Sequence, residues 1–244
     1  MQSRNSGNMK EDHYLIEYRF QGSSKYEIRE MINHLKRKFH LPPSGKSVPH
    51  ITLAGGLTTS HERKLIKDFV SVCSKTPLCK YTVDGFGSFA NEAGVIFINI
   101  IPNENLKTFR WTLAQTIAPY CNLKAFDYKQ DFKFHATLAM NLNDRDFSRL
   151  RKYINTQPEP QYKQILIRVT ILKNSKILCE YDFLQRRLLN RDEALSKTEL
   201  TKTFHLLDEF FKGNFDPNDE SLMKKNLQKS WIENIPIIGK LFSG

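Results

Sequence analysis

Hydrophobic positions along the chain switch between the spacing of strands and the spacing of helices. The first such segment, HYLIEYRF (13–20), is rich in aromatic and β-branched residues and predicts a strand. The next, SKYEIREMINHLKRKF (24–39), repeats its apolar residues at helical spacing, with Ser23 or Ser24 as a candidate cap. VPHITLAG (48–55) then predicts a second, short strand.

The same succession continues through the middle of the chain. A helix is predicted at 60–76, followed by two antiparallel strands at CKYTVDGFGSFA (79–90) and GVIFINII (94–101). A strongly amphipathic helix at 103–120 leads to another strand at FKFHATLAM (132–140). The order of elements in this part therefore begins to repeat that of the first part.

The last part of this pattern predicts a helix and a hairpin. NDRDFSRLRKYI (143–154) is a helix capped by Asn143 or Asp144, and YKQILIRVTILKN (162–174) and KILCEYDFLQRRLL (176–189) form two strands joined at KNSK. The whole order is a degenerate internal repeat of two similar halves. Because strands occur in adjacent pairs as well as between helices, the pattern favours an α+β fold over a doubly wound parallel sheet.

The two ends of the chain differ from this pattern. Residues 1–12 are polar and predict a flexible N-terminus, which leaves one domain at 13–188 and a helical C-terminal extension at 189–244. The extension predicts charged, moderately amphipathic helices around GNFDPND and ends in the apolar IPIIGKLFSG. Packing on the domain is the favoured role of that stretch; self-association or contact with a membrane surface are the alternatives.

Two of the predicted strands carry the same residues, since PHITLAGG and FHATLAM both contain His-x-Thr-Leu-Ala. Side chains two apart on a strand share a face, so His50 lies beside Thr52, and His135 beside Thr137. Two histidines that only satisfy hydrogen bonds within a sheet would not explain why the pair recurs at matching points of a repeat. The recurrence therefore indicates a functional site.

Two histidines that face one cleft suit general acid–base catalysis near neutral pH, and the neighbouring hydroxyls can hold a phosphate between them. Lys133 has the same strand parity and is a candidate for substrate binding, with a solvent-exposed lysine as the alternative. Phe86, Phe89 and Phe134 could stack on a base, although core packing is favoured for each. Neither a metal nor a cofactor is predicted, because no carboxylate accompanies the motif histidines at ligand spacing.

Charge and composition indicate the kind of partner and the cellular compartment. The 244 residues carry a net charge of +11, which favours a polyanionic partner such as RNA. The four cysteines form no C-x-x-C pair, the N-terminus has no apolar core of a signal peptide, and no apolar run approaches a membrane span. These observations predict a cytoplasmic protein with free thiols and no membrane partner, and we expect a monomer.

At the repeated motifs the sequence resembles the two-histidine phosphoesterases, which include the 2′-5′ RNA ligases and the RNA 2′,3′-cyclic phosphodiesterases. The resemblance covers roughly residues 13–188. It implies a bilobal α+β fold with pseudo-twofold symmetry, antiparallel sheets, outer helices and a central cleft. It also implies opening of 2′,3′-cyclic phosphates to 2′-phosphates without metal or ATP, with His50 and His135 as acid and base and Thr52 and Thr137 as phosphate contacts. The resemblance does not divide the two proton-transfer roles between the histidines.

Two other functions use the same residues. One is cleavage or ATP-independent joining of 2′-5′ linkages, and the other is a non-catalytic module that binds a nucleotide or an RNA end. Because both motifs are complete, the sequence favours the enzyme.

Overall fold

The computed structural model describes residues 12–42, 48–90, 94–219 and 221–222. Within these ranges the strands are β1 His13–Arg19, β2 His50–Thr58, β3 Lys80–Phe89, β4 Gly94–Pro102, β5 His135–Leu142, β6 Gln161–Ile165, β7 Arg168–Lys173, β8 Lys176–Asp182 and β9 Arg187–Asn190. The helices are α1 Gly22–Phe39, α2 Glu62–Lys75, α3 Glu104–Ile117, α4 Asp144–Ile154, α5 Arg191–Leu195 and α6 Lys197–Phe211, with a short 3-10 helix at Ala125–Tyr128.

The strands form two antiparallel sheets, one in the order β2-β1-β7-β8-β9 and the other in the order β5-β4-β3-β6. The first sheet takes its strands from both ends of the domain, and the second takes them from the middle. Each motif strand, β2 or β5, is an edge strand of its sheet, and the two edges contact each other. The α+β architecture predicted from the sequence is confirmed.

The helices show the same twofold relation. We call each sheet, with the helices that connect its own strands, a lobe. Helix α1 connects β1 to β2 in the first lobe but packs on β5 and α4 of the second. Helix α3 connects β4 to β5 in the second lobe but packs on β2 and α2. Each lobe therefore covers the motif strand of the other, and one hydrophobic core cluster includes residues of both sheets. This arrangement is the bilobal duplication that the resemblance implied.

The C-terminal hairpin differs from the prediction in where its strands belong. The segment at 162–174 is not one strand: β6 pairs with β3 in the second sheet, and β7 pairs with β1 in the first. Leu166 and Ile167 are both buried where the chain crosses between the sheets, so alternation of faces fails there. The segment at 176–189 likewise divides into β8 and β9, because Asp182 Oδ1 accepts from the amides of the two residues at 184 and 185 and turns the chain.

The structure confirms two of the local sequence predictions, a turn and a helix cap, and contradicts a third. The predicted turn at KNSK is confirmed, because Asn174 and Ser175 have φ of 48° and 66°, as a type I′ turn requires. Helix α4 begins as predicted, with Asn143 Oδ1 accepting from the backbone amide at 146. The predicted cap of α1 is wrong: neither serine caps it, and the buried Ser24 hydroxyl instead accepts from Gln164 Nε2 of β6.

The C-terminal extension begins as two helices rather than one, because Ser196 ends α5 and caps α6 with its side chain. Helix α6 is anchored on the first sheet by the buried Arg168, which donates to Thr203 Oγ1 and to the carbonyl of Glu199. Most of the second predicted helix, the final apolar stretch and residues 1–11 lie outside the described residues, and the boundary at 188/189 stays a prediction. No helix in the described ranges is long and apolar enough to cross a membrane.

Candidate active site

The two motifs occupy equivalent places at the contact between the lobes. His50 is the first residue of β2 and His135 is the first of β5. Along both strands the histidine and the threonine are half-buried, while the residues between and after them are fully buried. Among the described residues, neither Thr52 nor Thr137 uses its hydroxyl in a hydrogen bond to the protein. The faces predicted from strand periodicity are thus the faces that the sheets adopt.

Both imidazoles are held by the same kind of hydrogen bond, between ring Nδ1 and a backbone carbonyl oxygen. Nδ1 of His50 lies 2.9 Å from the carbonyl oxygen of Val48, and Nδ1 of His135 lies 2.8 Å from that of Lys133, two residues earlier in each case. A carbonyl oxygen only accepts, so Nδ1 carries the proton and donates it. Nε2 of a neutral ring is then the free nitrogen, and in a charged ring it carries the proton that can be transferred.

The surroundings of His50 are charged. Across the ladder from β2, Arg19 stands opposite His50 and Glu17 stands opposite Thr52. Oε2 of the buried Glu17 lies 3.6 Å from His50 Nε2, and its Oε1 lies 3.2 Å from Arg19 Nε. Burial raises the pKa of Glu17, whereas the positive charges of His50 and Arg19 lower it. We call these four residues the β2 half-site.

The surroundings of His135 are apolar. Across the ladder from β5, Asn99 stands opposite His135 and Phe97 stands opposite Thr137. The centroids of the Phe97 and Phe89 rings lie 5.0 and 5.2 Å from that of the His135 ring. Burial lowers the pKa of His135; the carbonyl of Lys133 raises it, and the positive charges of His50 and Lys133 lower it further. We call His135, Thr137, Asn99, Phe97 and Phe89 the β5 half-site.

Two polar atoms without a hydrogen bond stand at equivalent points of the two half-sites. They are Nε of Arg19 and Oδ1 of Asn99, and both are buried. Nε of Arg19 contacts Glu17 as an ion pair but is not aligned for a hydrogen bond. Directly opposite residues of antiparallel strands project to the same face, so both atoms share a face with the motif histidines. Since buried polar groups normally have partners, these two atoms are candidates for contact with water or with a ligand.

Glu17, Arg19 and Asn99 were not predicted from the sequence as residues of the site. A signal for two of them exists, because Glu17 interrupts the apolar run of β1 and Asn99 is the polar residue of GVIFINII. A polar residue inside an otherwise apolar strand needs a partner, and here the partner lies on the neighbouring strand. Strand pairing, which the sequence does not contain locally, decides which residue that is.

The other candidates have different positions. The Lys133 side chain is exposed, and its charge acts on His135, so its role in substrate binding stays a prediction. Phe134 is buried in the core and Phe86 packs against it, as core packing predicted. Phe89 is half-buried and contacts the His135 ring, which places it at the edge of the site.

A buried ion pair supports the β2 half-site from behind. The guanidinium of Arg110 on α3 donates to the carbonyl of Leu53 and to Oδ1 of Asp127, at 3.2 and 2.9 Å. Asp127 Oδ2 accepts in turn from the amide of Gly55, directly after the motif. Both charged side chains are almost completely buried, so each depends on the other for its desolvated charge. The pair thereby connects α3 and the 3-10 helix to the strand that carries His50.

Gly55 has a steric reason to be glycine. A Cβ at this position would lie 2.9 Å from Cγ2 of Thr52 and 3.6 Å from Cδ1 of Leu15. A larger residue would therefore displace the side chain of the motif threonine Thr52, whereas its contact with Leu15 would be an ordinary one. The glycine after the first motif keeps Thr52 in place.

Other reactive groups lie elsewhere. The four cysteines are free and buried. In the part of the chain that the structure describes, no group of three or more His, Cys, Asp or Glu side chains is arranged to hold a metal ion.

Comparison with known proteins places the chain in a family. The model of the 2′-5′ RNA ligase superfamily matches residues 24–176, more than half of the chain, and this range contains both motifs. The chain belongs to the 2′-5′ RNA ligase superfamily. Membership of this superfamily supports a phosphodiesterase that acts in RNA processing.

Solved structures give a broader view of this 2′-5′ RNA ligase superfamily member. Escherichia coli LigT in complex with 3′-AMP is 18% identical, with 74% of this chain and 95% of that chain covered and a TM-score of 0.45. Kluyveromyces marxianus Usb1 with uridine monophosphate is 11% identical, with 74% and 98% covered and a TM-score of 0.42. None of the curated proteins matches the sequence.

Proposed function

We propose that this protein is a metal-independent phosphodiesterase that opens 2′,3′-cyclic phosphates at the ends of RNA and leaves a 2′-phosphate. The observation that carries the proposal is the matched pair of imidazoles. Each has Nδ1 bound to a backbone carbonyl, each opens an edge strand, and the two strands contact each other. Two such rings supply a base and an acid to one reacting group.

The rest of the two half-sites suits a phosphate. The free hydroxyls of Thr52 and Thr137 can donate to its non-bridging oxygens, and the unused Nε–H of Arg19 can add a charged hydrogen bond. These donors would meet the charge that grows on the oxygens in the transition state. Lys133 remains a proposed contact to the same substrate.

Water is the nucleophile in the proposed step. One histidine Nε2 takes a proton from water as the water oxygen bonds to phosphorus, and the bond from phosphorus to O3′ breaks. The other histidine gives its Nε2 proton to O3′, so the products are a 2′-phosphate and a free 3′-hydroxyl. Exchange of protons with solvent restores both rings.

Chemistry and charge also guide the proposed setting. The net charge of +11 favours RNA rather than a small neutral substrate. The four buried free thiols suit a reducing compartment, so we propose a cytoplasmic protein. That it is a monomer stays a prediction.

The test is identification of the product. We would incubate the protein, with EDTA present, with an oligoribonucleotide that ends in a 2′,3′-cyclic phosphate and separate the possible phosphate ends. His50→Ala and His135→Ala would run beside His205→Ala, in which an exposed histidine of α6 is removed as a matched control. A 2′-phosphate formed by the wild type and by His205→Ala, but by neither motif variant, is the expected result.

Other outcomes separate the alternatives. A folded protein that leaves the cyclic phosphate intact but cleaves or joins 2′-5′ linkages would overturn the proposed substrate and keep the histidine chemistry. Binding of the cyclic end without any turnover, retained in His50→Gln and His135→Gln, would instead identify a binding module. Activity that disappears only with EDTA would contradict metal independence.

A further inference from the structure

A groove lies beside the β5 half-site, between the second sheet and helix α6. Asn99 and Ile101 are two residues apart on β4, so their side chains project to one face of the sheet, about 7 Å apart along the strand. Asn99 belongs to the β5 half-site, whereas Ile101 lines the groove, which has a volume of about 620 Å³. The groove therefore continues the sheet face that carries His135.

The floor of the groove is formed by that same face of the second sheet. Thr82 on β3 stands opposite Ile101 on β4 and opposite Lys163 on β6, so the three side chains share a face. Lys80 lies two residues before Thr82 on the same strand and has the same orientation. All four residues line the groove. Two ammonium groups thus lie on the surface that leads away from the β5 half-site.

Helix α6 forms the opposite wall of the groove. Phe204, Leu207 and Phe211 recur at helical spacing and all line it. The two phenyl rings are accessible, because 37% of Phe204 and 68% of Phe211 is exposed. The wall therefore offers aromatic faces to a ligand.

The attachment of α6 places this wall on the same side as the motifs. Thr170 on β7 stands opposite Glu17 of the β2 half-site, and Arg168 lies two residues before Thr170. The Arg168 side chain therefore projects to the face of the first sheet that carries the first motif, where it donates to Thr203 Oγ1 of α6. Helix α6 follows the range 24–176 that matches the superfamily model, so this wall belongs to the C-terminal extension.

The chemistry of the groove fits an unpaired RNA strand. Exposed aromatic rings are surfaces on which bases stack, and lysines neutralise the phosphates between the bases. Among the described residues, no acidic side chain lines the groove, and neither Lys80 nor Lys163 forms an ion pair. Lys80 Nζ lies 6.0 Å from the centroid of the Phe210 ring, so cation and aromatic surface adjoin.

Charge also distinguishes RNA from a second copy of this chain. Each copy carries a net charge of +11 and would bring like charge to the two lysines of the groove. An RNA strand supplies both the anions and the flat apolar rings that the groove lacks. The complementary ligand is therefore a single-stranded nucleic acid.

We propose that this groove holds the nucleotides that precede the reactive end of the RNA, with Phe204 and Phe211 stacked on bases and Lys80 and Lys163 in contact with phosphates. The proposal rests on the proposed function, because it extends the substrate from a terminal nucleotide to a strand. It gives the C-terminal extension the role of selecting an RNA chain over a mononucleotide.

Binding without turnover tests the aromatic wall. We would measure, by fluorescence anisotropy, the Kd of a labelled, unstructured oligoribonucleotide that ends in a 3′-phosphate. Phe211→Leu keeps apolar bulk but removes the ring, and it should raise Kd by about fivefold or more, the lower bound for loss of base stacking. Phe211→Trp keeps a stacking surface and should retain the wild-type affinity.

The two lysines have a separate signature in the salt dependence. Each phosphate contact to a single strand contributes about 0.7 to the slope of log Kd against log salt concentration, so Lys80→Gln and Lys163→Gln should each reduce the slope by about this amount. Lys176→Gln is the matched control, because it removes an exposed lysine at the turn between β7 and β8. It should leave the slope unchanged.

The proposal is overturned if the wild type binds the oligonucleotide no more tightly than a 3′-mononucleotide, or if Phe211→Leu keeps the wild-type Kd. Unchanged affinity with altered sedimentation would assign the groove to a second copy of the chain. Unchanged affinity with a lower unfolding midpoint would assign it to another segment of the same chain, and both results contradict the proposal. Because the oligonucleotide has no cyclic phosphate, the outcome does not depend on whether cyclic ends are hydrolysed.

Discussion

The β2 half-site and the β5 half-site are the same scaffold with different surroundings. Both present His-x-Thr from an edge strand, and both hold Nδ1 with a carbonyl two residues back. The β2 half-site, however, contains Glu17 and Arg19, whereas the β5 half-site contains Asn99 and two phenylalanines. The comparison teaches that the repeated scaffold places the two imidazoles alike, while the neighbouring strand decides what surrounds each of them.

The support behind the two half-sites also differs. The β2 half-site leans on the buried pair of Arg110 and Asp127, which binds the backbone of Leu53 and Gly55. The β5 half-site is supported by aromatic packing, with Phe97 buried and in contact with Phe89. One half-site thus depends on a desolvated charge pair and the other on apolar contacts.

The largest expected effect comes from removal of either histidine. His50→Ala and His135→Ala should each lower the rate of cyclic phosphate hydrolysis by about 100- to 10,000-fold, the range for general acid–base catalysis. Because the two rings act in one step, the double variant should be little worse than the more damaged single variant. Initial rates at substrate concentrations far below KM measure this. Losses that simply multiply would mean that the half-sites act separately.

The next effect concerns the support of the β2 half-site. Asp127→Ala leaves the Arg110 charge buried without a partner and should lower the free energy of unfolding by about 3–5 kcal/mol. Urea unfolding measures this free energy. The control is Glu104→Ala, because Glu104 forms an exposed ion pair with Lys107 on α3, the helix that carries Arg110. Similar midpoints for the two variants would show that the buried pair does not support the strand.

A smaller effect tests whether both threonines hold the same phosphate. Thr52→Val and Thr137→Val keep the shape but remove a hydroxyl, and each should reduce kcat/KM by about tenfold, as for a hydrogen bond to a charged group. The unfolding midpoint of each variant serves as its control. A loss confined to one of the two would show that only that half-site contacts the phosphate.

The smallest effect is on the pH dependence of stability. Because burial lowers the pKa of His135 below its ordinary value of 6.5, the unfolded chain binds a proton that the folded chain does not bind in the window just below 6.5. The contribution of His135 to stability should therefore be lost as the pH falls through that window. His135→Gln should lose less stability than the wild type between pH 7.5 and 5.5, measured by urea unfolding. An equal loss in both proteins would contradict the apolar environment of this ring.

Much of the fold was predictable because strands and helices have distinct periods. The faces of His50, Thr52, His135 and Thr137 follow from the two-residue repeat of a strand, and the structure adopts them. The interleaving of the lobes was not predictable from these patterns. One continuous segment supplies β6 to one sheet and β7 to the other, and no glycine, proline, asparagine or aspartate marks the crossing between them at Leu166 and Ile167.

Only those parts of the candidate site whose residues are close together in the sequence were predictable. Glu17 lies far from His50 in sequence and reaches it only through the pairing of β1 with β2. The same is true of Phe97, which approaches His135 through the pairing of β4 with β5. Local patterns predict which residues react, whereas the residues that surround them come from long-range pairing.

The most direct test of the difference between the half-sites is a change of leaving group. Thymidine 3′-(4-nitrophenyl phosphate) releases nitrophenolate, which needs no proton to leave, but still requires an activated water. One of the two variants, the one that lacks the acid, should lose far less activity on this ester than on the cyclic phosphate, while the other should lose a similar factor on both. If the nitrophenyl ester rescues neither variant, or rescues both to the same extent, the two half-sites do not divide the acid and base roles.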